Sequence, residues 1–240
     1  MLREDGRSNA ELRKCRITRN INRYAEGSCL ITLGHTRVHC TASVEDRQPN
    51  FLRDTEEGWV TAEYAMLPRA TAERTRRAGD VGISGRTHEI QRLIGRSLRA
   101  VTDTKLLGPV TIQIDCDVLQ ADGGTRTAAI CGGFVSLASL IHRERHRFDR
   151  PLLVRQVAAV SVGILDGQPL LDPDYSEDRD CAVDGHVVKT ADGKLIDIGF
   201  TAEGAPFAPE DFSKLLALAD QGLGVIFERQ RDVIPGGLTL

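Results

Sequence analysis

The chain has 240 residues, of which 41% are hydrophobic and 27% charged, as in an ordinary soluble globular protein. Its sequence holds no apolar run near the ~20 residues that a membrane-spanning helix needs and begins with charged residues, so we expect a cytoplasmic protein with no membrane partner. The net charge of −3 excludes a bulk electrostatic attraction to nucleic acids, and any such binding requires a local basic patch.

The first elements along the chain are strands. Residues 15–21 alternate loosely, and residues 28–44 predict two strands around a tight turn at Gly34 and His35. A long segment from about Glu45 to Gly85 contains prolines, glycines and many charges, which predicts an irregular structure. Ordered domains seldom carry such a loop unless it has a function.

Two helices and one strand follow this segment. Residues 86–102 predict an amphipathic helix, because apolar side chains recur there at spacings of three and four. Residues 110–118 alternate as a strand with one buried face. Residues 128–141 are small and apolar, which favours a buried helix packed closely on a sheet.

The second half of the chain repeats the order of strands followed by a helix. Residues 157–172 predict a hairpin that turns at 166–167, residues 183–200 predict another that turns at 192–193, and a helix begins at Pro209. These elements predict an α+β fold in which mixed sheets pack against helices. We expect a single domain over residues 1–240, made of two similar β–α halves at about 1–150 and 151–240.

The sequence Asp122-Gly-Gly-Thr-Arg-Thr127 joins a predicted strand to a predicted helix. Glycines let backbone N–H groups approach an anion, and the start of a helix adds positive potential. Thr125 can cap the helix or donate its hydroxyl, and Arg126 can bind a phosphate at two points. A second arginine, Arg86, also follows a glycine at a helix start, so the two elements can converge on one oxyanion. The alternative is an ordinary strand–helix turn with a capping threonine.

An acidic run extends from residue 172 to residue 184. Paired carboxylates there can hold Mg²⁺ near a phosphate. The run opens with the spacing of an EF-hand calcium loop, but Glu177 occupies the position that needs glycine and Val183 the position that needs glutamate, which disfavours calcium. A charged surface loop is the simpler interpretation of Asp172, Asp174 and Asp180.

Several arginines cluster in the long irregular segment: Arg69, Arg74, Arg76 and Arg77. Exposed arginines in a loop suit the sugar–phosphate backbone of RNA. Solubility alone is the alternative explanation.

Taken together, these motifs resemble the ribonuclease PH family of phosphorolytic exoribonucleases, which trim the 3′ ends of tRNA precursors. The resemblance extends over nearly the whole chain. The residues that carry it are 5–7, 25–27, 41–44, 58–64, 66–70, 84–87, 89–100, 114–127, 158–163 and 201–204. Around Asp184 the chain departs from the family's usual pattern, and Asp180 adds a carboxylate there.

The resemblance implies a function and a set of site residues. The implied phosphate site consists of Arg86, Gly124, Thr125 and Arg126; the implied metal ligands for Mg²⁺ or Mn²⁺ are Asp178 and Asp184; the implied RNA-binding residues are Arg69, Arg74, Arg76 and Arg77. The catalytic residues would then be Arg86, Arg126, Asp178 and Asp184, with inorganic phosphate as co-substrate.

The resemblance further implies a homo-hexamer, built as a trimer of dimers, that acts on tRNA precursors and other structured RNA 3′ ends. A catalytically silent RNA-binding ring subunit is the main alternative. A hydrolytic nuclease would need more metal ligands and a base that activates water, and the sequence offers no convincing set.

Overall fold

The computed structural model describes residues 3–77, 82, 84–148 and 151–234, and these residues form two sheets and five α-helices. The first sheet has the strand order β1-β2-β3-β5-β4 and the second the order β7-β6-β8-β9. The strands are β1 Cys15–Arg19, β2 Gly27–Leu33, β3 Thr36–Glu45, β4 Trp59–Met66, β5 Thr111–Gln120, β6 Val157–Leu165, β7 Gln168–Leu171, β8 Val183–Thr190 and β9 Leu195–Ala202. The helices are α1 Gly85–Arg99, α2 Thr104–Leu107, α3 Thr125–Arg143, α4 Tyr175–Asp180 and α5 Pro209–Val233, with short 3₁₀ helices at Asn50–Leu52 and Arg145–Arg147.

Tight turns join β2 to β3 and β6 to β7 at the predicted places. Gly34 turns the chain between β2 and β3 with a φ of +57°. Asp166 and Gly167, between β6 and β7, have φ values of +50° and +72°, the double left-handed conformation that suits a two-residue hairpin. The α+β fold class is therefore confirmed. The first sheet is mixed, and the second is wholly antiparallel.

The prediction of an irregular structure from residue 45 to residue 85 is wrong for β4. This strand buries Val60, Ala62 and Tyr64 on alternate positions, which is the pattern of a strand with one covered face. It pairs with β5 in parallel, and the chain crosses between them through α1. A parallel pair needs such a long crossover, so the hairpin signals that marked the other strands are missing here.

Helix α3 lies between the two sheets, against β2 and β3 on one side and β6 on the other. Every residue from Thr127 to Leu140 is buried, as the small and apolar run predicts. Glycines allow the close approach: a Cβ on Gly132 would lie 2.7 Å from the sulfur of Cys40. Apolar residues from both halves thus form one continuous core.

The join predicted at residues 150–151 lies at the edge of the described part of the chain, because residues 149 and 150 are outside it.

Five of the six cysteines are buried and Cys15 is half-buried, all as free thiols. Among the helices that the structure describes, none is both long and apolar enough to cross a bilayer.

Gly27 offers a test of how closely β2 packs on α3. A Cβ there would lie 2.0 Å from the backbone oxygen of Ser136 and 2.7 Å from the backbone nitrogen of Leu140. We expect Gly27→Ala to lower the free energy of unfolding by about 1–3 kcal/mol, because strand and helix must move apart. Urea unfolding followed by circular dichroism measures the change.

Gly224→Ala is the matched control for this variant. Gly224 is exposed in α5, and a Cβ added to it would meet no atom within 4 Å. Alanine should therefore raise the free energy of unfolding by about 0.5–1 kcal/mol through its helix preference. Equal effects of the two substitutions would contradict the close packing of β2 on α3.

Candidate active site

The loop between β5 and α3 has the geometry of an anion-binding turn. Gly123 and Gly124 have φ values of +69° and +66°, in the left-handed region that favours glycine. A Cβ on Gly123 would also lie 2.7 Å from the backbone oxygen of Pro173. Gly124 is the N-cap of α3 and supplies no side-chain cap, so the first amides of the helix point toward the site without a capping side chain. We call residues 122–126 the phosphate loop.

Thr125 does not cap the helix, which corrects the alternative of a capping threonine. It is the first residue of α3, and its hydroxyl is 2.8 Å from the hydroxyl of Tyr64 on β4. Tyr64 is buried, and burial raises the pKa of its hydroxyl. The hydrogen bond with Thr125 and the positive charges of Arg86 and Arg126 act on this pKa in the opposite direction. Both arginines therefore lie near the Tyr64–Thr125 pair.

Tyr64 is a site residue that sequence reasoning missed. It stands in the run of residues 58–64 that carries part of the family resemblance, but no role follows for it from the sequence. The signal that could have found it is the alternation of β4, which turns Tyr64 to the same face as Val60 and Ala62. A strand predicted there, parallel to β5, places its tyrosine beside the phosphate loop.

Arg86 and Arg126 each occupy the second position of a helix, α1 and α3 respectively. Helix α1 begins after Ser84, whose hydroxyl accepts a hydrogen bond of 3.1 Å from the backbone N–H of Thr87. Within the described part of the chain, neither guanidinium has a carboxylate partner within 4.0 Å. Two helix starts thus present two positive charges that act on the same groups, Tyr64 and Asp178.

The carboxylates of Asp178 on α4 and Asp184 on β8 lie next to each other. The pKa of Asp178 is raised to about 6, first by burial, then by the negative charge of Asp184 and a hydrogen bond shared with it. Arg126 and Arg86 act in the opposite direction and favour the ionised form. The structure therefore brings the four predicted catalytic side chains into one electrostatic neighbourhood.

The carboxylate pair fits a hard divalent cation. Both carboxylates are half-buried, and a bound cation would offset the repulsion between them. Mg²⁺ is commonly held by one or two carboxylates, while water and phosphate oxygens complete its coordination. The described residues include no group of three or more histidine, cysteine, aspartate or glutamate side chains placed to hold a metal. Asp178 and Asp184 are thus suited to a metal that is shared with a phosphate ligand.

The surface-loop interpretation of the acidic run is wrong for Asp172. This side chain is fully buried and accepts hydrogen bonds from Arg13. Asp174 is the N-cap of α4 and forms a capping box with Glu177, so the run is a capped helix and not a calcium loop. Asp180 matches the surface interpretation, because it is exposed and pairs with Arg179 at 2.7 Å.

The four loop arginines, Arg69, Arg74, Arg76 and Arg77, are all exposed. The base of their segment is attached to the residue just before the phosphate loop, since the backbone oxygen of Ala70 accepts a hydrogen bond of 2.8 Å from the backbone N–H of Ala121. Residues 78–81 and 83, which follow this segment, lie outside the described residues. RNA binding by these arginines stays a prediction.

Two family models match the chain: the 3′ exoribonuclease family, domain 1, matches residues 11–140, and domain 2 matches residues 155–222. The chain belongs to this 3′ exoribonuclease family. These are the ribonuclease PH models, so the resemblance to ribonuclease PH is confirmed. The phosphate loop lies in the first matched range, and both carboxylates lie in the second.

Solved structures share the fold of this family member. Rice (Oryza sativa) Rrp46 has 19% sequence identity and a TM-score of 0.78, with 97% of this chain and 100% of that chain covered. An archaeal exosome core has 21% identity and a TM-score of 0.76, with 95% and 90% covered. A structure described as the Archaeoglobus fulgidus exosome with RNA bound to the active site has 22% identity and a TM-score of 0.79, with 95% and 92% covered.

The raised pKa of Asp178 predicts how its removal changes stability. Between the ordinary aspartate value of 3.8 and about 6, the folded protein binds more protons than the unfolded chain, so this group makes stability fall as pH rises through that range. We expect Asp178→Asn to raise the melting temperature at pH 8 without divalent cations. The gain should shrink at pH 5, where the native carboxyl is itself mostly neutral.

Asp180→Asn is the control, because Asp180 is exposed and its partner Arg179 lowers its pKa. This substitution should bring no gain in melting temperature at pH 8. Calorimetry at pH 5 and pH 8 measures both variants. A gain for Asp178→Asn that is equal at the two pH values would contradict the raised pKa of Asp178, which burial and the neighbouring Asp184 carboxylate produce together.

Proposed function

We propose that this chain is a phosphorolytic 3′→5′ exoribonuclease that trims 3′-extended tRNA precursors and releases nucleoside diphosphates. Membership of the 3′ exoribonuclease family supports the reaction class. The observation that carries the proposal is the electrostatic neighbourhood of Asp178, in which a close carboxylate pair lies near two arginines at helix starts. The choice of tRNA as substrate rests on the resemblance to ribonuclease PH.

The physical obstacle to this reaction is repulsion between two anions, since inorganic phosphate must approach a phosphodiester. Arg86, Arg126, the Thr125 hydroxyl and the first amides of α3 bind the attacking phosphate and neutralise its charge. Tyr64 holds the Thr125 hydroxyl in place through their 2.8 Å hydrogen bond. Such preorganised donors contribute most where charge develops in the transition state.

Asp178 and Asp184 would hold a divalent cation, Mg²⁺ or Mn²⁺, which would supply Lewis-acid stabilisation of the negative charge that develops in the reaction. A phosphate oxygen forms a bond to the phosphorus of the terminal phosphodiester while the bond from that phosphorus to the 3′ oxygen breaks. The 3′ oxygen takes up a proton, and the terminal nucleotide leaves as a diphosphate. No side-chain nucleophile is needed, because phosphate itself attacks.

The reaction exchanges a phosphodiester for a diphosphate, so it should lie near equilibrium. With excess nucleoside diphosphate and little phosphate, the protein should extend RNA 3′ ends as a nucleotidyltransferase.

The loop arginines Arg69, Arg74, Arg76 and Arg77 bind the body of the RNA in this proposal, and the chain assembles as a homo-hexamer. Their segment is attached at Ala70 to Ala121, the residue just before the phosphate loop, which supports a continuous path for the RNA.

A second candidate is a catalytically silent RNA-binding subunit of a mixed assembly. It is favoured by the descriptions of the solved structures, two of which name an exosome and one Rrp46. Such a subunit needs the loop arginines and has no use for a pair of carboxylates that repel each other. The presence of Asp178, Asp184, Arg86 and Arg126 in one neighbourhood favours the active enzyme.

Arg126→Ala should lower the phosphorolysis rate by roughly 10²–10³-fold, because the transition state loses a charged contact. The assay incubates the protein with a 3′-extended tRNA and Mg²⁺, with and without phosphate, and identifies the released nucleotides by chromatography. Arg155→Ala is the control. Arg155 is half exposed and pairs at 3.2 Å with Asp192, which follows the end of β8, whereas Asp184 lies at the start of that strand, so the loss of Arg155 should leave the rate unchanged.

Three outcomes distinguish the candidates. Phosphate-dependent release of nucleoside diphosphates supports phosphorolysis. Retained RNA binding without any release supports the silent subunit. Nucleoside monophosphates that appear without phosphate indicate hydrolysis, and full activity of Arg126→Ala contradicts the assigned phosphate site.

A further inference from the structure

A buried set of ion pairs connects the start of the described chain to both parts of the candidate site. Its side chains expose less than a tenth of their surface: Arg3, Arg7, Arg13, Asp172 and Glu177. We call these five residues the buried arginine network. The proposed function assigns none of them a role, although burying three arginines requires that their charges be paired and hydrogen-bonded.

Arg13 is the member that reaches the phosphate loop. Its backbone N–H and its Nε donate to Asp172 Oδ2 at 3.0 and 2.9 Å, and its Nη2 donates to Asp172 Oδ1 at 2.6 Å. Its Nη1 donates to the backbone oxygen of Asp122. One edge of the guanidinium therefore binds the second half of the molecule and the other edge binds the loop that precedes α3.

The same network fixes helix α4, which carries Asp178. Arg3 donates from Nε to Glu177 Oε1 at 2.5 Å, and Glu177 closes the capping box of α4 by accepting from the backbone N–H of Asp174 at 2.9 Å. Asp172 lies just before this helix. The backbone N–H of Tyr175, the first residue of α4, also donates to Asp122 Oδ1 at 3.3 Å.

The energetics favour a role in geometry over a role in stability. A buried ion pair costs desolvation that nearly cancels its attraction, so it contributes little net stability. A fork of several hydrogen bonds nevertheless has one arrangement that satisfies it, which fixes the position of what it joins. Asp172 itself has a φ of +51°, an unfavourable conformation for a residue other than glycine, which its surroundings must impose.

We propose that Arg13, held by Asp172, is a positioning residue that sets the spacing between the phosphate loop and the carboxylate of Asp178. The inference deepens the proposed function and rests on it. Arg13 touches neither substrate nor metal in this account. Lysine at this position keeps the charge and can pair with Asp172, but it has no second edge that reaches the oxygen of Asp122 at the same time.

A second residue, Thr36, also holds the phosphate loop. The Thr36 hydroxyl, at the start of β3, accepts from the backbone N–H of Asp122 at 2.9 Å and donates to the backbone oxygen of Gly123 at 2.6 Å. Thr36 is fully buried. Valine has nearly the same shape, so Thr36→Val removes these two bonds while the strand is kept.

The test compares steady-state kinetics of Arg13→Lys with those of the unmutated protein. We expect the KM for phosphate to rise about 10- to 100-fold, because a displacement of about 1 Å in such a site has effects of this size. The KM for the RNA substrate should change less than the KM for phosphate, since the hydrogen bonds of Arg13 reach Asp172, Asp122 and Gly123 and not the segment that carries the loop arginines. Arg155→Lys, which alters an arginine pair outside the network, should leave all parameters unchanged.

A purely structural role would lower the melting temperature and the folded fraction without changing the KM for phosphate. A folded Arg13→Lys variant with an unchanged phosphate KM therefore overturns the proposal. If Arg13→Lys does not fold, Thr36→Val decides in its place: a several-fold rise in phosphate KM supports positioning of the loop, and an unchanged KM overturns it.

Calorimetric titration with inorganic phosphate separates this inference from the proposed function. If the unmutated protein binds no phosphate and releases no nucleoside diphosphate, the proposed function fails. If the unmutated protein binds phosphate and Arg13→Lys binds it equally well, the proposed function stands and the positioning role fails. Binding by the unmutated protein with weaker binding by Arg13→Lys supports both.

Discussion

Repulsion between the carboxylates of Asp178 and Asp184 is the interaction on which the candidate site depends. Their proximity adds to burial in raising the pKa of Asp178 to about 6, so at neutral pH the fold holds two negative charges together in a partly buried place. Two arginines, Arg86 and Arg126, partly offset this repulsion from helix starts. A site of this kind is suited to ligands that bring the complementary charges, a divalent cation for the carboxylates and a phosphate for the arginines.

The fold brings these groups together from distant parts of the chain. The two arginines belong to the range that matches the first family domain, and the two aspartates belong to the range that matches the second. Helix α3 lies between the sheets and is buried over most of its length, which gives the phosphate loop a rigid support. The buried arginine network then connects that loop to α4 across the two halves. Packing thus supplies rigidity, and hydrogen-bonded ion pairs supply the geometry.

Much of this architecture follows from local sequence patterns. The hairpins at 34–35, 166–167 and 192–193 are marked by their turn residues. Helix α1 is marked by apolar spacing, α3 by a run of small and apolar residues, and α5 by the proline at its start. The phosphate loop is marked by two adjacent glycines before a helix, and the resemblance to ribonuclease PH points to both carboxylates. Each of the turn, spacing and glycine signals is contained in a short stretch of sequence, which is why the sequence alone could predict it.

What the sequence could not predict depends on contacts between distant residues. Strand β4 was missed although its residues alternate, because its partner β5 is parallel to it and is reached only through a long crossover, so no hairpin turn marks the strand. Tyr64 lies on this strand and was missed for the same reason. Asp172 looks like one more acid in a charged loop, and only the fold shows that Arg13, 159 residues away, accounts for its burial. Long-range pairing of charges leaves no periodic trace in the sequence.

The most direct test of phosphorolysis follows the attacking phosphate itself. The protein is incubated with a 3′-extended tRNA, Mg²⁺ and radiolabelled inorganic phosphate, and the released nucleotides are separated and counted. Because phosphate attacks the terminal phosphorus, the label should appear in the β-phosphate of nucleoside diphosphates. Release of unlabelled monophosphates, or RNA binding with no release, would contradict the assignment of this site as a phosphorolytic active site.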